Sequence, residues 1–325
     1  LRQLIDLLPL DPLADTHVVW IEGEEGIGKT RLVRELKVRS QLAGVPFFYA
    51  ACVREGTQPF VKIIRHVQTL PVGRELALEF APALETLFPG VLEHSAEPLP
   101  IRDVEGLRAV IDQAVDFFIR LAKARPFALV LEDVRRANEI TVSVLAMFLR
   151  ALIGEQARGG DLPCLILLTD RLGQVSAETT ALTEGIPEEF QAEVSEDLSE
   201  LRIQLSTARL LVEVPLFRLG KLETAELIGS MLALSDPPPR LVAKIHATAG
   251  GNPLFIEELV RNLMDEGVLA LRQAKVSAED LDAIKAPRSL AELFGQRLDR
   301  LETPARQALI ALAVLGAPSP LRLIA

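Results

Sequence analysis

The chain has 325 residues, 49% hydrophobic and 25% charged, with 35 Lys and Arg against 45 Asp and Glu, for a formal net charge of −10. This is the composition of a globular protein long enough for about two domains and a sizeable core. The acidic balance argues against broad contact with nucleic acid. No apolar run is expected to reach the ~20 residues that cross a bilayer, and with no signal peptide in view the expected compartment is the cytoplasm.

Taken in order, Leu1 to Leu13 is apolar at helical spacing (Leu1, Leu4, Ile5, Leu8) and ends in a Pro-containing loop. Val18, Val19, Trp20 and Ile21 then read as a buried strand ending at Glu22, followed by Gly23-Glu24-Glu25-Gly26-Ile27-Gly28-Lys29-Thr30. This turn fits the phosphate-loop pattern G-x-x-x-x-G-K-[ST]. Glycines let the backbone wrap an anion at dihedrals that a side chain forbids. The amides and the positive end of the next helix then face that anion. Lys29 can reach β- and γ-phosphates, and the Thr30 hydroxyl can bind Mg²⁺. The expected phosphate-binding stretch therefore runs from Gly23 through Arg31, with the Leu1–Leu13 segment covering its edge.

Apolar Leu32, Val33 and Leu36 predict a helix after Thr30, ended by Gly44. Pro46 to Cys52 reads as a second strand and Pro59 to Leu70 as a helix. Pro71 to Pro100, with five prolines, reads as irregular. Asp103 to Ala124 is strongly amphipathic. Phe127 to Asp133 is an apolar strand ending in two acids, Glu139 to Ile153 a helix, and Leu162 to Thr169 a further buried strand after a Gly159-Gly160 turn. Val175 to Arg209 is rich in acids and reads as a helical insertion or a mobile excursion, with a solvated acidic face rather than a dedicated docking surface. Leu210 to Val214 is the last strand. Cys52 and Cys164 lie in apolar runs and read as buried, reduced thiols. From Leu222 the pattern is helical only: Thr224 to Leu234, closed by Pro237-Pro238-Pro239; Arg240 to Ala249; a break at Gly250-Gly251-Asn252-Pro253; Leu254 to Glu266; a short acidic helix from Ser277; Ser289 to Arg300; and Thr303 to Leu315.

Continuous apolar strands alternating with amphipathic helices predict a parallel sheet with helices on both faces. Ligands of such a sheet sit at the carboxyl ends of its strands. Glu132 and Asp133 end one strand, where a nucleotide hydrolase needs a Mg²⁺ carboxylate and a water-orienting carboxylate. Adjacent strand residues point to opposite faces, but at a strand end they can splay to serve metal and water separately. Thr169 and Arg171 end the next strand, as a candidate hydrogen-bonding sensor and charge reporter near the γ-phosphate. His17, His66, His94 and His246 show neither metal spacing nor a nucleophile partner and read as structural or solvated.

These segments, together with Gly-Gly-Asn-Pro-Leu-Phe-Ile-Glu-Glu-Leu at 250 to 259, occur in an order that resembles the ATPase module of signal-transduction ATPases with numerous domains (STAND), of the origin-recognition-like AAA type. In bacteria such modules sit in large LuxR-type regulators, adenylate cyclases and serine/threonine kinases. The resemblance covers roughly Leu1 to Arg300. It implies a P-loop NTPase core over 1–219 (the acidic insertion at about 175–209), an all-helical lid over 220–288 and the start of a winged-helix domain over 289–325. It implies ATP or ADP with Mg²⁺, phosphate and metal contacts from Lys29 and Thr30, an acidic pair in Glu132 and Asp133 that serves metal and catalysis, γ-phosphate sensing by Arg171, and contact of Pro253 with the base side. It also implies a switch in which ADP holds a closed state and ATP permits homo-oligomers. One departure stands out: where the family usually has His-Trp-Ala-Asp, this chain has Arg135-Arg136-Ala137-Asn138, which bears on hydrolysis more than on binding.

The reading expected from the sequence is thus an ATP-binding regulatory module with slow Mg²⁺-dependent hydrolysis, partnered by nucleotide and by other domains of a longer protein, with neither membrane nor nucleic acid as partner. The chain begins without Met and ends in an apolar run, as a piece of something longer would. The alternatives are a motor-type remodelling ATPase, a nucleotide-binding scaffold without hydrolysis, and a DNA-loading initiator ATPase.

Overall fold

The computed structural model describes residues 1–10, 14–53, 58–92, 96–160, 162–171, 198–265, 267–269, 295, 298 and 301–315. It divides into two compact units, one of residues 1–22 and 29–215, the other of 23–28 and 216–325.

The first unit is built on five parallel strands: β1 (His17–Glu22), β2 (Phe47–Ala51), β3 (Phe127–Glu132), β4 (Cys164–Asp170) and β5 (Leu211–Pro215), in the order β2-β3-β4-β1-β5. Burial on both faces explains the unbroken apolar runs: every residue of β3 is buried, as are Cys164 to Thr169 of β4. The register pairs Ala51 with Glu132, Leu131 with Leu168 and Glu22 with Asp170, which brings the strands' carboxyl ends to one edge. β1 lies inside the sheet, beside β4 and β5, although it is first in sequence. Its exit is therefore at the reversal of strand order, where crevices open in such sheets.

Eight helices belong to this unit among the described residues: α1 (Arg2–Asp6), α2 (Lys29–Leu42), α3 (Pro59–Val67), α4 (Pro71–Glu79), α5 (Ala81–Leu87), α6 (Val104–Ala124), α7 (Glu139–Ala157) and α8 (Leu198–Thr207). The α6 stripe Leu107, Val110, Ile111, Ala114, Phe118 and Leu121 is buried, as its periodicity predicts, and Asp103 caps the helix by accepting from the Gly106 N–H at 2.7 Å. Phe118 lies in an aromatic cluster with Phe60, Phe117 and Phe148.

Two expectations are corrected here. Pro71 to Pro100 is not simply irregular, since it forms α4 and α5. Pro71 and Pro82 sit in first turns, where a missing N–H costs nothing. The buried Glu85 carboxylate then accepts from the Gly90 and Leu92 amides, both at 2.8 Å, and folds the following loop back. Second, α7 is long and apolar enough to cross a membrane by length and composition, contrary to the reading of the bare sequence. Ile140, Val144, Leu145, Phe148, Leu149 and Leu152 bury it in the core instead. Most of the acidic stretch from Val175 lies outside the described residues, and its described end forms the helix α8.

The second unit holds α9 (Lys221–Leu232), α10 (Pro239–Ala249), α11 (Pro253–Asp265) and α12 (Thr303–Leu315). Ile228, Leu232, Leu241, Ile245, Ile256 and Val260 form its separate core. The proline run does not close α9, which ends at Leu232 with Ala233 left-handed; Pro239 instead starts α10. The predicted helices at Ser277 and over 289–300 lie, apart from Gly295 and Leu298, outside the described residues.

Candidate functional site

In the first unit, β1 delivers the chain to the phosphate-loop sequence, and α2 begins at Lys29. Lys29 is buried at 8% exposure, a position long amphipathic cations seldom occupy without a purpose. The Thr30 hydroxyl donates to Glu132 Oε1. Glu132 is 6% exposed and also accepts, through Oε2, from the Tyr49 hydroxyl at 2.5 Å. Burial and the hydrogen bond to Glu132 push the Tyr49 phenol well above its ordinary pKa, so it remains the donor.

Asp133 departs from the strand. Its φ of 55° is left-handed, a conformation that Asp tolerates better than most residues. The turn breaks the strict face alternation at the end of β3, so Asp133 does not continue the strand. It is held by the Asp133 N–H, which donates to the fully buried Thr169 hydroxyl at 3.0 Å. The structure thus joins Thr30 to Glu132 through side chains and Asp133 to Thr169 through the Asp133 backbone N–H. Arg171 lies just beyond β4, its N–H donating to Asp170 Oδ1 at 2.7 Å.

Two of the three residues that depart from the resembled pattern, Arg135 and Asn138, have defined structural tasks. Arg135 Nε donates to Asp170 Oδ1 at 2.6 Å, and its Nη2 donates to the Arg171 carbonyl. Its charge is therefore spent on the end of β4. Asn138 caps α7 by accepting from the Thr141 N–H at 2.9 Å. Asn and Asp are near equals as N-caps, so the missing acid at 138 leaves this function intact. Arg136 is exposed.

In the second unit, Gly26 and Gly28 have φ of 78° and 107°, the conformations that require glycine in the loop. A β-carbon on Gly28 would meet nothing within 4 Å, so the space it faces is open. Gly23 has a different reason: a β-carbon there would come within 2.6 Å of Ile27. Asn252 Nδ2 donates to the Glu25 carbonyl at 2.9 Å, and the Leu254 N–H donates to the Gly26 carbonyl at 3.2 Å. Arg218 pairs with Glu24 at 2.7 Å. Pro253 starts α11 between Asn252 and Leu254.

Sequence reading missed Tyr49 and Arg202. Arg202, on α8, forms a bidentate pair with Glu22 at 2.5 and 3.1 Å, donates to Glu213 at 2.6 Å, and lies 5.3 Å from the centre of the Trp20 ring. It fixes the end of the strand that enters the loop. A lone Arg in an acidic stretch carries no sign of that role, because the partners are 180 and 11 residues away. Of the histidines, His66 packs edge-on to Phe48 and His246 Nδ1 lies 3.0 Å from the Thr224 hydroxyl, while His94 is outside the described residues.

The family model for the AAA ATPase domain matches residues 1–167, just over half of the chain. The chain belongs to the AAA ATPase domain family. This AAA ATPase chain also matches, over residues 220–277, a domain of unknown function, DUF8739. No curated protein matches it. Among solved structures it is similar to the ORC1 protein of Aeropyrum pernix in complex with DNA, at 15% identity over 99% of this chain and 74% of that one, with a TM-score of 0.40. It is similar to Cdc6p of Pyrobaculum aerophilum at 14% identity, over 97% and 74%, TM-score 0.45. The AMPPCP-bound DnaA of Aquifex aeolicus matches at 13% identity, over 99% and 79%, TM-score 0.41. At such similarity, what those proteins bind says nothing of this AAA ATPase chain.

Proposed function

We propose that the chain is an ATP-binding regulatory switch of the STAND type, with slow Mg²⁺-dependent hydrolysis that times its state. The observation that carries this reading is the hydrogen bond from the Thr30 hydroxyl to Glu132 Oε1, which joins the phosphate-loop threonine to the acid at the end of β3. The Thr30 hydroxyl and the Glu132 carboxylate are hard-oxygen donors suited to Mg²⁺, and the open space at Gly28 suits a phosphate chain. Lys29 and the loop amides of 23–28 would bind the phosphates, Thr30 and Glu132 would hold the metal, and Asp133 would orient a water. The Mg²⁺ would neutralise charge on the phosphate oxygens. Pro253 is assigned to the base side and Arg171 to sensing the γ-phosphate.

The reading extends to a cytoplasmic module whose ATP state self-associates and acts on other domains of a longer protein. Titration with ATP and ADP, with and without Mg²⁺, tests it together with phosphate release and particle size. Binding of both nucleotides, turnover well below the ~1–10³ s⁻¹ of ordinary enzymes, and larger particles with ATP are expected. Fast turnover on a remodelled partner, or salt-dependent DNA binding, would replace the switch with a motor or an initiator. Binding with no phosphate release would leave a scaffold.

A further inference from the structure

We propose that Asn252 is a positioning residue that sets the phosphate loop from outside: its side chain grips the Glu25 carbonyl and caps the helix whose Leu254 N–H holds the next carbonyl, that of Gly26. This rests on the reading of 23–30 as the phosphate site. The Asn252 side chain is 3% exposed and has two tasks. Its Oδ1 accepts from the Leu254 N–H at 3.0 Å, which caps α11 ahead of Pro253. Its Nδ2 donates to the Glu25 carbonyl at 2.9 Å. The same Leu254 N–H also reaches the Gly26 carbonyl at 3.2 Å.

The consequence follows from peptide geometry. No peptide bond in the described chain is cis. In a planar trans peptide the C=O and the N–H of one unit point in opposite directions. Holding the Glu25 carbonyl toward Asn252 therefore turns the Gly26 N–H away from it. Holding the Gly26 carbonyl does the same for the Ile27 N–H, whose own turn contact to the Glu24 carbonyl is long, at 3.3 Å. Two consecutive amide dipoles are aimed by a helix more than 220 residues further along the chain. Such aiming before binding spares the ligand the cost of ordering the loop.

Gly26 fits this clamp. A β-carbon there would lie 2.9 Å from Asn252 Oδ1 and 2.9 Å from Leu254 Cβ, so glycine is required by the close approach of α11 as well as by its dihedral. A second strap runs from Arg218, which holds the Glu24 carboxylate and donates to the Gly250 carbonyl at 3.3 Å. It is exposed, so salt screens it and the Asn252 grip dominates.

The two tasks of Asn252 can be separated. In Asn252→Asp an oxygen still caps α11, since Asp and Asn cap about equally, but no N–H remains for the Glu25 carbonyl. In Asn252→Ser the cap also survives and the reach to Glu25 is lost. Both variants of the 325-residue chain should stay folded by circular dichroism but melt below the wild type, Asn252→Asp lower than Asn252→Ser because it buries a charge beside the Glu25 carbonyl. In the free protein, deuterium uptake of a peptide covering residues 20–32 should quicken, and affinity for both ATP and ADP should fall about tenfold, the scale of one buried hydrogen bond. Unchanged uptake in both variants overturns the grip, and faster uptake with wild-type affinity overturns its role in binding. A wild-type chain that binds no nucleotide sinks the proposed function instead, and the uptake comparison on the free chain still decides whether Asn252 holds the loop.

Discussion

Tyr49, midway along β2, and Glu132, the last residue of β3, sit on neighbouring strands, and the Tyr49 hydroxyl donates to Glu132 Oε2 at 2.5 Å. With Thr30 on the other oxygen, the buried carboxylate has both oxygens occupied by hydroxyl donors. Tyr49→Phe keeps the ring and removes one donor. It should cost about 1–2 kcal/mol of stability, because a buried carboxylate then lacks a partner. It should also raise the Mg²⁺ concentration needed for nucleotide binding, as Glu132 loses its fixed orientation. Urea unfolding and a Mg²⁺ titration at fixed ATP check the two effects. Wild-type behaviour in both would leave Tyr49 as filling alone.

The sheet was readable because its strands are buried on both faces and therefore appear as unbroken apolar runs, Phe127 to Leu131 most plainly. Strand order was not readable. Nothing in the spacing of Tyr49 and Glu132, 83 residues apart, says that β2 and β3 are neighbours. The phosphate loop was legible because its chemistry restricts residue type at fixed offsets. The Asn252 contact was not, because it uses loop carbonyls that any residue would supply. Prolines misled where they start helices, at Pro71, Pro82 and Pro239, since the same residue marks both a break and a first turn.

The roles proposed for the basic and acidic groups separate by substitution. Lys29→Ala should lower ATP affinity by about a hundredfold, the loss of a strong charged contact to phosphate, while the fold stays intact by circular dichroism. Glu132→Gln should weaken the Mg²⁺ dependence of binding. Asp133→Asn should keep nucleotide affinity within a few-fold yet slow phosphate release by ~10²-fold or more, as expected when a water-orienting group is lost. If Asp133→Asn turned over at the wild-type rate, Glu132 alone would carry the acidic role.

Arg135 is engaged by Asp170 and by the Arg171 carbonyl, so its charge is not free to act elsewhere. Changing Arg135 and Arg136 to His and Trp, the residues usual in the resembled family, should therefore leave hydrolysis within about twofold. It should lower stability by about 1–2 kcal/mol through the part-buried Asp170 left behind. Phosphate release and thermal melting of the double variant measure both. A large gain in turnover would mean that the Arg pair is what holds hydrolysis back.

Burial pushes the Cys52 thiol up to about 12 from an ordinary 9.0, with the nearby Asp133 and Glu132 charges adding to it, and burial likewise raises Cys164 to about 12. Below pH 9 both thiols are protonated whether the chain is folded or not, and they contribute no pH dependence. Above it the unfolded chain forms thiolates first, so stability falls as pH rises from about 9 toward 12. The slope is at most about 1.4 kcal/mol per pH unit for each thiol. Urea midpoints at pH 8 and 10.5 should therefore drop more for the wild type than for a variant with Cys52→Ala and Cys164→Ala. The native chain should also resist alkylation at pH 8, since the thiolate is the nucleophile and is scarce at both sites. Rapid alkylation of Cys52 in the folded protein would show that the strand end beside the acids opens to solvent far more readily than its 2% exposure implies.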